Sequence, residues 1–263
     1  MGLIIIFILL TALYTFLFSL IPLSPWFIIL WVFVSAILAI ISLVLSALLV
    51  LLLCNKKKPK GAVRHFYLRN ACYLAIKFNN IKLKISGKEN IPNNEAFVIY
   101  ANHKSIMDPI CIYYALNSRI TAIGKKSLFK TKIMKLVLKT FDAIALDRDN
   151  DREAAKSMIE AIKKVKNGLP ILIFPEGGIK NRESEEMSDL KAGAYKLALK
   201  SNASILPVSI IGTSSIKGSS IFKKKQVKVI IHAPISKEDY KDKNTHEIGR
   251  YVEEIINDGV KNG

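Results

Sequence analysis

His103 and Asp108, five residues apart in NHKSIMDP, are the pair in this chain best suited to moving a proton. A histidine at the end of a strand, followed by an aspartate at the start of the next helix, lets the chain fold back until the carboxylate meets the imidazole and fixes one tautomer. The other ring nitrogen can then take a proton from an attacking hydroxyl, as a general base does when the nucleophile belongs to the substrate. The same two residues have a plain structural reading, because Asp before Pro109 makes a good helix start, with Asp108 at the N-cap and proline at the first helical position. FPEGG at 174–178 is likewise readable as a strand running into a glycine turn.

The elements around these residues decide whether they can meet. AFVIYA (96–101) reads as a buried strand delivering His103, with a helix from about 108 to 117 behind it. Ile81, Leu83 and Ile85 alternate with lysines, the pattern of a strand with one wet face, suited to a sheet edge. Apolar strands come next at 120–123, 143–146, 170–174, 205–211 and 227–232, interleaved with helical patterns at 126–139, 152–166, 189–201 and 244–257. This alternation predicts an α/β fold, a largely parallel sheet flanked by helices. Ligands of such sheets gather at the carboxyl ends of the strands, where His103, Glu176 and Arg148 all fall.

The first 55 residues carry no Lys, Arg, Asp, Glu or His, so the net charge of +18 lies wholly beyond Asn55. Residues 3–21 and 26–54 are apolar runs separated by the two prolines of IPLSP, each long enough to span a hydrocarbon core of about 20 helical residues. They predict an N-terminal hydrophobic helical hairpin, spanning the bilayer or half immersed in it. A cleaved signal peptide needs a positive n-region and a shorter apolar stretch, and this start has neither. KKKPK at 56–60, with Arg64 behind it, predicts a cell-membrane protein whose remaining domain faces the cytoplasm. With 1–55 as the membrane-anchoring hairpin, residues 56–80 read as a basic amphipathic connecting helix and 81–263 as one domain.

A strongly basic domain suits anionic membrane lipids and phosphate-bearing substrates; the lysines are scattered without a binding motif, so no nucleic acid is expected. Cys54, Cys72 and Cys111 show no CxxC spacing and the four histidines are far apart, so no metal site is expected. Gly124-Lys125 is not a P-loop, since Arg119 stands where that loop needs a glycine.

NHKSIMD resembles the NHxxxxD motif of the glycerolipid acyltransferase superfamily, and FPEGG its FPEG motif; the match is best in the lysophosphatidic acid acyltransferase branch. Further parallels, in the family's order, are GKKSLF (124–129), AIALDR (143–148), LKAGAYKLA (190–198) and ILPVSI (205–210). The likeness covers roughly residues 85–235 and the N-terminal helix pair.

The resemblance implies transfer of a fatty acyl chain from a thioester, acyl-CoA or acyl carrier protein, to the sn-2 hydroxyl of lysophosphatidate, giving phosphatidate without a cofactor. It assigns His103 as base and Asp108 as its orienting partner. Arg148 would hold the acceptor phosphate, Glu176 and Gly177 would shape the acceptor site, and Lys125 would stabilise the thioester oxyanion. Lys191 belongs to the matched LKAGAYKLA block, and Pro207 to the donor side or to strand geometry. A surface ion pair with Asp147, Asp149 or Asp151 is the other reading of Arg148.

Three departures bear on the phosphate contacts. Gly178 and Ile179 replace the family's usual Thr-Arg, with Lys180 or Arg182 as substitutes for the missing cation. Ala192 stands where an arginine is common, and Asp142 where a glycine is. The alternatives are an acyltransferase acting on another lysophospholipid, glycerol 3-phosphate or a lyso-aminolipid, and, from a different class, a non-catalytic protein binding anionic lipid.

Overall fold

The computed structural model describes residues 2–21, 25–56, 61–93, 95–179 and 181–263. Lys57, Lys58 and Lys60 of the juxtamembrane run, and Lys180, lie outside the described residues. The chain forms two compact units, Met1–Tyr73 and Leu74–Gly263, the division falling within one helix.

The first unit is built on α1 (Gly2–Ser19) and α2 (Ile28–Lys56), packed against each other as a hairpin. Phe18 stacks on Trp31 with ring centroids 4.7 Å apart, and the Tyr14 hydroxyl bonds Ser42 Oγ at 2.9 Å. Ser35 and Ala39, one turn apart, are fully buried; small side chains let two helix backbones approach where lipid supplies no hydrophobic drive. The outward faces are apolar, with Leu9, Phe16, Ile29 and Phe33 all exposed. Both helices are long and apolar enough to cross a membrane. The helix α3 (Ala62–Phe78) comes next, and in this unit Asn70 Oδ1 accepts the Leu3 N–H at 3.2 Å.

The second unit holds a seven-stranded sheet. Its strands are β1 (Ile81–Ser86), β2 (Phe97–Ala101), β3 (Thr121–Lys125), β4 (Ile144–Leu146), β5 (Ile171–Ile173), β6 (Ser204–Ile211) and β7 (Lys225–Ile231), in the order β1-β7-β6-β2-β5-β3-β4. Every pairing is parallel except β6 with β7. The lysine-alternating strand is indeed an edge, and β2, buried at all five positions, is central.

The helices are α4 (Asp108–Leu116), α5 (Lys132–Thr140), α6 (Asp151–Lys166), α7 (Lys196–Ser201), α8 (Lys237–Tyr240) and α9 (Thr245–Asn262). Val98 and Tyr100 of β2 join a core with Ala161 and Val165 of α6, Leu197 and Ala198 of α7, and Val252 and Ile256 of α9. The alternate residues Phe97, Ile99 and Ala101 are buried on the opposite face, so both sides of the sheet are covered, as parallel strands require.

Two expected helices are shorter than their patterns. The 126–139 stretch opens as a 3-10 turn over Lys126–Phe129, and α5 begins only where Thr131 caps it by accepting the Met134 N–H. The 189–201 stretch likewise divides into a 3-10 turn at Ala192–Tyr195 and α7. The start of α4 also differs: Met107 holds the cap position and Asp108 is the first helical residue, its side chain turned back toward the preceding loop.

Candidate active site

Because β2, β3, β4 and β5 run parallel as neighbours, the segments leaving them emerge on one edge of the sheet. His103 follows β2, Lys125 ends β3, Arg148 follows β4 and Glu176 follows β5. Topology thus gathers residues up to 73 positions apart in sequence, the separation of His103 from Glu176.

His103 Nδ1 lies 2.9 Å from Asp108 Oδ2. The same oxygen accepts the backbone N–H groups of Lys104 and Ser105, each at 2.7 Å. A carboxylate oxygen only accepts, so in the neutral imidazole the hydrogen sits on Nδ1 and Nε2 is the acceptor. Asp108 is fully buried while the His103 side chain keeps 17% of its surface open. The imidazole stacks on Phe174 at 4.0 Å between centroids, which fixes the plane of the ring. Asp108 Oδ1 is buried without a partner among the described residues.

Beneath this pair lies a second one. Lys104 Nζ meets Glu176 Oε2 at 2.8 Å with both side chains at most 2% exposed, and Glu176 Oε1 accepts the His103 N–H at 2.7 Å. Glu176 therefore anchors both the backbone of the histidine and a buried ammonium. Asn102 locks the end of β2 to β6 through paired bonds with the Ile210 N–H and carbonyl, and donates also to the Glu185 carbonyl.

Arg148 lies over the glycine turn. Gly177 has φ +76°, and a methyl group there would sit 3.5 Å from Arg148 Nη1 and 3.5 Å from Lys191 Cγ. Glycine thus permits the left-handed backbone, while both side chains lie at ordinary contact distance from the turn. Burial draws the Arg148 pKa below its ordinary value, only partly offset by Asp149. No ion pair to Arg148 occurs among the described residues; Lys126 pairs with Asp147 instead, at 2.8 Å. Lys191 is tied to the same turn, its N–H donating to the Pro175 carbonyl at 2.9 Å.

The structure thus brings His103, Asp108 and Glu176 into one hydrogen-bonded network, and Arg148, Gly177 and Lys191 into a cluster beside it. Lys125 is exposed at the end of β3 and stands outside that network. Asp142, in place of the usual glycine, adopts φ +56°, a conformation that aspartate tolerates better than most residues, and Lys164 bonds both its carboxylate and its carbonyl. Pro207 lies inside β6, and His232 donates its N–H to the Pro207 carbonyl.

Sequence reasoning missed Lys104, Asn102 and Phe174. All three lie within the NHKSIMD and FPEGG motifs, but nothing local shows that the Lys104 side chain is buried and paired with Glu176.

An apolar hairpin precedes an α/β sheet whose carboxyl edge presents a His-Asp pair, and residues 82–211 match the family model described as Acyltransferase. The 1-acyl-sn-glycerol-3-phosphate acyltransferase of Bacillus subtilis is 33% identical, over 68% of this chain and 86% of the relative. That of Borreliella burgdorferi is also 33% identical, over 64% of this chain and 66% of the relative, so the chain spans just under two thirds of its length. Among solved structures, the LPA acyltransferase PlsC of Thermotoga maritima superposes with a TM-score of 0.67 at 26% identity, covering 81% of this chain and 86% of that one. The chain belongs to the 1-acyl-sn-glycerol-3-phosphate acyltransferase family.

Proposed function

We propose that this protein transfers a fatty acyl chain from a thioester to the sn-2 hydroxyl of lysophosphatidate, forming phosphatidate, with His103 as general base. The observation that carries the reading is the 2.9 Å contact between His103 Nδ1 and Asp108 Oδ2, which leaves Nε2 open to an incoming hydroxyl. Nε2 takes the hydroxyl proton as the oxygen attacks the thioester carbonyl carbon. The oxyanion that forms collapses, the carbon–sulfur bond breaks, and the departing thiolate recovers the proton from Nε2. Asp108 stabilises the transient imidazolium.

The donor is acyl-CoA or acyl carrier protein. Arg148, with Lys191 beside it, binds the acceptor phosphate; guanidinium meets phosphate oxygens in pairs, and an arginine without an internal ion pair is available to do so. Glu176 acts as a positioning residue through the His103 backbone and Lys104. Lys125 stabilises the oxyanion from the end of β3. The second unit faces the cytoplasm, in keeping with the lysine excess directly after the hairpin.

The test is thiol release from acyl-CoA in liposomes containing lysophosphatidate. His103→Ala should lose nearly all acceptor-dependent release while binding anionic vesicles as before. Undiminished release would refute the assignment. Running the same assay over a panel of lysophospholipids, glycerol 3-phosphate and a lyso-aminolipid fixes the acceptor.

A further inference from the structure

The connection from β6 to β7 presents an apolar tip that the fold does not use. Phe222 is 86% exposed and Ile221 40% exposed, and Lys223 and Lys224 come directly after, both exposed. Exposed apolar side chains are common singly, but here the backbone is built to hold them outward. Lys225 is buried, and its ammonium donates to the carbonyls of Asn79 at 2.9 Å, Ser220 at 2.8 Å and Lys223 at 3.1 Å. Asn80 Nδ2 donates to the Phe222 carbonyl at 2.8 Å, and the Phe222 N–H donates to Ser220 Oγ at 3.2 Å. The turn's polar backbone is thus satisfied inward around a buried cation, leaving its side chains to the outside.

The apolar surface extends beyond the tip. Phe78, beside the two asparagines, is 70% exposed, and Asn79 also touches Met107 Sδ at 3.9 Å, next to Ile106, which is 73% exposed in the His103–Asp108 loop.

We propose that Ile221 and Phe222 form a second membrane contact, inserting among the acyl chains of an anionic bilayer while Lys223 and Lys224 meet its headgroups. An aromatic and aliphatic tip leading into lysines matches the polarity gradient of a bilayer interface. Neither Lys223 nor Lys224 has an ion-pair partner among the described residues, so their charge is available to anionic headgroups. A bilayer is the occupant because the chain's own apolar hairpin already brings the protein to one. The proposal rests on membrane association and not on the acyl-transfer chemistry.

Full-length protein carrying an environment-sensitive fluorophore at Phe222→Cys is reconstituted into liposomes of phosphatidylcholine, with or without phosphatidylglycerol; Ile159→Cys on α6 serves as control and the unsubstituted protein sets background labelling. In anionic liposomes the label at 222 should shift to the blue, be quenched by doxyl lipids and be shielded from iodide, whereas the label at 159 stays accessible. Equal iodide access at both sites would overturn the proposal, and equal shielding at 222 without phosphatidylglycerol would overturn its anionic part. This arm reads insertion without turnover, so it stands apart from any failure of the catalytic reading. In a second arm, Phe222→Asp should lower acylation of bilayer-embedded acceptor about tenfold, the partition cost of one aromatic side chain, and leave a monomeric short-chain acceptor unaffected. Equal loss on both acceptors, or none on either, would contradict membrane insertion.

Discussion

Lys104→Met tests whether the buried ion pair holds the catalytic loop in place. With both partners at most 2% exposed, removing the ammonium leaves the Glu176 carboxylate unpaired beneath the site, at a cost of about 3–5 kcal/mol. In a domain of this size about 1 kcal/mol moves the melting temperature by roughly 2–4 °C, so the single variant should melt about 6–20 °C lower in detergent. Lys104→Met/Glu176→Gln removes both charges while the amide oxygen still accepts the His103 N–H, whose bond to Glu176 is 2.7 Å. Its residual cost is about 1–2 kcal/mol, so the double variant should recover roughly a third to four fifths of the loss. Circular dichroism melting of the four proteins gives the coupling directly. A single-variant cost below about 1 kcal/mol, or a double-variant cost equal to the sum of the singles, would refute the reasoning that this pair is a desolvated unit.

The other expectations concern chemistry and pH. Asp108→Asn keeps the shape of the side chain but removes the charge from the oxygen that faces His103 and the Lys104 and Ser105 N–H groups, so the melting temperature should drop and kcat should fall roughly a thousand- to ten-thousand-fold below the transition; a loss under tenfold would remove Asp108 from the mechanism. Arg148→Ala should lower kcat/KM for lysophosphatidate by about 10- to 100-fold, the worth of a charge-assisted phosphate contact, and spare a phosphate-free monoacylglycerol, whereas equal losses would mark Arg148 as structural. His232, half-buried with Nε2 at 2.7 Å from Ser209 Oγ, has its pKa drawn below 6.5 by desolvation, the nearby Asp258 opposing the shift. The unfolded chain therefore binds the proton first: this stability is complete above pH 6.5 and is lost as pH falls through the lower folded value. His232→Gln should flatten that part of the stability–pH curve, and an unchanged slope would refute the assignment.

Local pattern carried much of this protein. The apolar runs at 3–21 and 26–54 announce a hairpin because a bilayer-facing helix needs little beyond length and hydrophobicity, and the alternating segments after Ile81 announce an α/β sheet because their periods differ. His103 and Asp108 were legible for the same reason, since one loop brings them together. Where several choices compete within a few residues, local pattern gave out, as at the 3-10 turns from Lys126 and Ala192 and at the cap of α4, where Asp108 turns back to the loop instead of capping the helix.

The tertiary structure alone decided that Lys104 is buried and which carboxylate it meets. Lys104 becomes a buried partner of Glu176 because strands β2 and β5 are adjacent, an adjacency that neither segment encodes by itself. Arg148 could equally have paired with its acidic neighbours; instead it lies over the turn at Gly177, while Lys126 takes Asp147. Sequence sets the elements because their hydrogen bonds and periodicity are local. The site forms only when strand order places the ends of β2, β4 and β5 on one edge, and that order is fixed by burial across the whole sheet.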